Sequence, residues 1–276
     1  VFCPPQKTIT PPPPQLLNKD PPVPPPPPPP IFLTGGNRPS NETMVPPVAA
    51  AAWQSLEQSP SLHAIQGLVE ALRASPVGLP PPRGAASLTP LVRAVSAPQG
   101  ADGKAKRLQA VIALRSIAKG FAPLLLQTSG CLNALVGAAQ GYEPAKLRGW
   151  ALSALALLAR SGGPGSRAVL STAQPVLLAA LSQEPECQIW AAEAIASLSE
   201  RYSAAAPLVQ AGAVARLVEL LRSAAKCTTP ASGDRVRAAA HAAVRALLLL
   251  AQVTPARIQL RAAPCALADL FTIVRV

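Results

Sequence analysis

His63 and His241 are the only histidines of the 276-residue chain. With five cysteines, Cys3, Cys131, Cys187, Cys227 and Cys265, they are the residues that could ligate a metal or pair as nucleophile and base. Their spacing argues against both roles. The histidines fall in separate helical stretches, and no two cysteines form a CxxC pair, so no zinc site or Cys–His couple is encoded locally. An odd number of scattered thiols fits reduced cysteines packed on helices, as in intracellular or intra-organellar proteins. The stretch Ser-Gly-Gly-Pro-Gly-Ser at 161–166 lacks the Gly-Lys-Ser/Thr ending of a phosphate loop and reads as a turn. Glu184 and Glu186 sit at a helix start, where acids cap and favour the dipole, rather than as an acid/base pair. These residues predict no catalytic site, no metal and no cofactor.

Binding chemistry is better supplied. Lys and Arg number 25 against 13 Asp and Glu, a formal net charge of +12. Lys104, Lys106 and Arg107 cluster at a helix start, where cations oppose the dipole, so local stability does not account for them. Arg235, Arg237 and Arg245 form a similar group after a Thr/Pro/Ser/Gly loop at 223–233. Each group reads either as a solvated surface or as a contact to an anionic partner, phosphates or an acidic protein surface, and they are the candidate residues for such a contact. No aromatic-rich platform accompanies them, so stacking on single-stranded nucleic acid is unsupported.

The elements that must position these residues follow from composition. Apolar residues make up 49% but aromatics only 3%, and much of the apolar content is alanine. A core of Ala and Leu calls for closely packed helices. Of the 34 prolines, 18 fall before residue 48. Residues 1–47 therefore read as an extended, polyproline-rich arm, with Leu16, Leu17, Ile31, Phe32 and Leu33 as apolar anchors that would tether it to a neighbour. The arm holds three basic and two acidic residues, leaving 22 basic and 11 acidic from residue 48 on. Residues 48–86 read as a helical cap and linker, with helices over 49–58 and 61–74. No uninterrupted apolar run reaches membrane-spanning length, so no transmembrane segment is expected.

Residues 87–276 are repetitive. Segments 108–118, 149–159, 189–199 and 241–251 align, with steps of 41, 40 and 52 residues, and Trp150 and Trp190 are 40 apart. A second set, 130–139, 173–182, 212–221 and 263–272, interleaves with the first. Each unit carries apolar stripes that one helical hairpin cannot bury but stacked neighbours can.

These segments resemble the armadillo-repeat family, with the HEAT family as the structural alternative. Residues 208–222, Leu-Val-Gln-Ala-Gly-Ala-Val-Ala-Arg-Leu-Val-Glu-Leu-Leu-Arg, resemble its first-to-second helix junction, and 149–155, Gly-Trp-Ala-Leu-Ser-Ala-Leu, its third helix. Short helices at 121–129, 167–172 and 204–211 look like its extra first helix. The resemblance implies an all-α, right-handed superhelical solenoid of about four units, with third helices lining a concave groove. Trp150 and Trp190 match the groove tryptophan of the family, and Lys146, four residues before Trp150, shares that helix face. Four residues on, where the family often has an asparagine, stand Ala154 and Ala194, which lowers the expectation of extended-peptide capture.

The sequence thus predicts a non-enzymatic assembly subunit of a large complex, whose partners are other protein subunits. The alternatives are an RNA-contacting component of an organellar ribonucleoprotein such as a ribosome, and a soluble cargo or signalling adaptor. The basic balance and the lack of an initiator Met favour an organelle, a mitochondrion before a chloroplast, over cytoplasm or cilium.

Overall fold

The computed structural model describes residues 47–74, 81–82, 84–97, 101–140, 142–226 and 233–263. The Pro-rich arm with Leu16, Leu17, Ile31, Phe32 and Leu33, and nearly all of the last repeat segment at 263–272, lie outside them. Among the described residues every regular element is helical. The helices are α1 (Pro47–Gln58), α2 (Leu62–Ala74), α3 (Thr89–Val95), α4 (Ala101–Gln127), α5 (Cys131–Ala139) and α6 (Ala145–Arg160). They continue as α7 (Pro164–Ala180), α8 (Pro185–Ser199), α9 (Tyr202–Gln210), α10 (Ala213–Lys226), α11 (Gly233–Leu250) and α12 (Thr254–Arg261).

Two joints between repeat helices are written into single helices. α4 is continuous by hydrogen bonding, yet Phe121 leaves helical geometry at φ −129°, ψ 36°. Pro123 explains the break, since a helix-interior proline removes a donor and its ring crowds the preceding turn. The stretch before the kink is the third helix of one unit, and the stretch after it is the first helix of the next. α7 likewise carries Pro175 between its expected first and second helices without separating them. Elsewhere the joint is a tight turn. Gly212, at φ +84°, follows α9 in the left-handed conformation that a side chain disfavours, and α10 starts at the next residue.

α10 shows why these stretches are helices with one buried face. Ala213, Val214, Leu217, Val218, Leu220 and Leu221 are buried at the three- and four-residue spacing of a helix stripe. The opposite face carries Ala215, Arg216 and Glu219, which are exposed, and Arg222, which is half-buried.

The helices stack in order. α2 packs on α4, α4 on α6, α6 on α8 and α8 on α11, a continuous row of third helices to which α2 adds one further layer. α3, α5, α7 and α10 back this row. One apolar core runs through it, from Trp53 and Leu56 in α1 to Leu250 and Val253. The helix Gly103–Gln127 is long and apolar enough on composition to cross a membrane, but half of that stretch is buried against its neighbours, as in a core helix.

Candidate binding face

Trp150 on α6 and Trp190 on α8 are both half-buried and packed against the core. The guanidinium of Arg115, from α4, lies 4.6 Å from the Trp150 ring centroid and 5.7 Å from that of Trp190, within cation–π range of both. The two indoles therefore share one face of the row. α4 and α8 flank α6, and long side chains from both reach across it to meet at this guanidinium.

Arg115 is fixed at a second point, since its Nε donates to Ser153 Oγ on α6 at 2.7 Å. Partial burial lowers its pKa from the ordinary arginine value, because the charged form loses hydration. Sequence reasoning missed Arg115. The available signal was a lone cation inside the apolar stretch 110–118. Ala154 and Ala194, the positions expected to carry asparagine, are fully buried, as are the aligned Ala113 and Ala246. Lys146 is exposed on α6, one turn before Trp150.

The structure separates the predicted cationic contacts. Lys104 is exposed and Lys106 half-buried. Arg107 does not join them at a surface. It is buried, its Nε donates to the Val95 carbonyl at 2.8 Å, and its guanidinium pairs with Glu143 at 2.7 Å. The expectation that Arg107 meets an anionic partner is corrected: its charge is used inside the fold. The same contact recurs one repeat later, 41 residues on in both members. Arg148, also buried, reaches both carboxylate oxygens of Glu184, at 2.6 and 2.7 Å. Glu184 stands at the N-cap of α8 without a side-chain cap bond, so it acts as the partner of Arg148 rather than as a cap. At the next step the arginine position is Gln188, which bonds instead to the Gln183 carbonyl.

Arg245 on α11 is held by two carboxylates, Glu193 at 3.0 Å and Glu200 at 2.8 Å. Arg237 pairs with Asp234 within its own helix, and Arg235 is exposed. The predicted group of Arg235, Arg237 and Arg245 is thus largely satisfied internally.

His63 and His241 are exposed on α2 and α11. Among the described residues no three His, Cys, Asp or Glu side chains gather as metal ligands. Cys131 and Cys187 are buried, and loss of hydration pushes their thiols up to about 12 and about 11.

No family model and no curated protein matches the chain. Solved structures do. One described as an engineered protein is 23% identical, covering 82% of this chain and 91% of its own at a TM-score of 0.55. A second engineered protein is also 23% identical, covering 81% of this chain and 46% of its own at 0.51. A designed armadillo repeat protein is 22% identical, covering 86% and 96% at 0.48. With its three-helix units and continuous row of third helices, the chain is an all-α, armadillo-like helical-repeat solenoid.

Proposed function

We propose that this chain is a non-enzymatic binding scaffold, an assembly subunit that presents the Trp150–Trp190 face of its third-helix row to a protein partner and uses residues 1–47 as a tether. The observation that carries the reading is the convergence of Arg115, Trp150 and Trp190 from three successive helices onto one partly exposed face. Half-exposed aromatic and arginine side chains are the types that dominate binding at protein interfaces.

The test is purification of the tagged full chain from its native source, with and without nuclease. Protein partners that stay bound after nuclease, and are depleted when residues 1–47 are deleted, are the expected result. Loss of all partners on nuclease treatment would replace this reading with the RNA-contacting one.

A further inference from the structure

We propose that the face formed by α4 and α6 recognises carboxylates and selects an acidic peptide segment, because the cation position beside Trp150 and Trp190 is filled from within by Arg115. The inference rests on the scaffold reading and adds the sign of the ligand. Indole faces attract a cation. Here that cation is already present, anchored through Ser153, so an incoming Lys or Arg side chain meets occupied rings and a like charge. A guanidinium has five N–H donors and no acceptor, and only Nε of Arg115 has a hydrogen-bond partner among the described residues. No carboxylate pairs with it there. Its remaining donors suit a carboxylate, which guanidinium can grip with two parallel hydrogen bonds.

A cleft lies one turn farther along the same two helices. Lys119 lies one turn beyond Arg115 on α4, and Leu157 one turn beyond Ser153 on α6. Both line this cleft of about 290 Å³ with Pro123 and Arg160. Lys119 and Arg160 are exposed, and no acidic residue lines the cleft. Cations around an apolar floor fit an acidic residue followed by an apolar one. Nucleic acid fits less well, since the indole faces a base would stack on are covered by Arg115.

The experiment measures binding of the full chain to three labelled probes by fluorescence anisotropy: an alternating Glu/Leu decapeptide, an alternating Lys/Leu decapeptide and a ten-nucleotide RNA. The Glu/Leu peptide should bind at least about tenfold tighter than the Lys/Leu peptide. Lys119→Glu with Arg160→Glu, both exposed and so tolerated by the fold, should weaken it by about tenfold or more. Arg115→Ala should weaken it too and strengthen the Lys/Leu peptide by freeing the indole faces. Preference for the Lys/Leu peptide that is lost in Trp150→Ala would overturn acid selection while leaving the scaffold reading intact. Binding of neither peptide would overturn the inference and leave the scaffold reading to its own copurification test, whereas tighter binding of RNA would overturn both. Equal Glu/Leu affinity in the wild type and the Lys119/Arg160 variant would overturn the inference alone.

Discussion

Between α4 and α6 the cations Arg115, Lys119 and Arg160 stand without a carboxylate partner among the described residues, whereas between α8 and α11 Arg245 is clamped by Glu193 and Glu200. The first junction keeps cations without an internal carboxylate among the described residues, and the second uses its arginine to join two units. A third use runs along the edge of the row, where Arg107–Glu143 and Arg148–Glu184 repeat one contact at a 41-residue step. Position in the repeat, not residue type, decides whether an arginine is paired inside the fold or left without a carboxylate partner among the described residues.

The largest expected effect comes from breaking a buried strut. Both side chains of the Arg107–Glu143 pair are only 9% exposed. Arg107→Ala removes a buried guanidinium from a buried carboxylate and should cost about 3 kcal/mol of stability. Urea denaturation followed by circular dichroism measures it, and a loss below about 1 kcal/mol, the range of surface pairs, would dissolve the distinction between the two kinds of arginine.

Packing at the joint between α6 and α7 offers the next effect. A Cβ on Gly165 would lie 2.7 Å from Ser161 Oγ, 2.8 Å from Leu126 Cδ1 and 3.1 Å from the Leu158 carbonyl. Gly165→Ala should therefore destabilise by about 1–3 kcal/mol, the usual cost of overpacking, as read by the same denaturation curves. Gly137→Ala, in open space, is the control and should cost nothing of that kind.

Much of the solenoid was legible in the sequence because a repeat writes its period into its apolar stripes. The steps of 41 and 40 residues located α4, α6 and α8, and Trp150 and Trp190 marked one face. The first helices were harder to separate, because Pro123 bends α4 without ending it and Pro175 does not interrupt α7. Arg107 was misread because it was grouped with Lys104 and Lys106 along the chain, while its partner Glu143 is 36 residues away. Comparing charges at the repeat spacing would have paired Arg107 with Arg148 and Glu143 with Glu184.

The exposed end of a strut should answer to pH. The pKa of Glu184 is lowered, chiefly by a hydrogen bond from its own backbone amide, with Arg148 adding to this against partial burial. A depressed folded-state pKa contributes stability above the ordinary carboxylate pKa and loses it as pH falls through the folded value. The melting temperature of the wild type should therefore fall more between about pH 7 and about pH 3, chosen to bracket the ordinary carboxylate value of about 4.3, than that of Glu184→Gln. Parallel curves would mean that this carboxylate contributes nothing to the strut.

The smallest stability effect is expected where the comparison began. Arg245 is 40% exposed, with Glu193 at 33% and Glu200 at 46%, so water screens both contacts. Arg245→Ala should then cost less than about 1 kcal/mol, as solvent-exposed pairs do. Its consequence for charge is larger than its consequence for folding. Removing the guanidinium leaves Glu193 and Glu200 without that partner, three residues beyond Trp190 in the first case. The α8–α11 part of the face becomes more acidic while α4–α6 is untouched. Urea denaturation should show near-wild-type stability, and binding of an acidic peptide should weaken modestly and recover as added salt screens the new repulsion. A stability loss as large as that of Arg107→Ala would show that Arg245 is a strut of the same kind, and the contrast between the edge and the face would be lost.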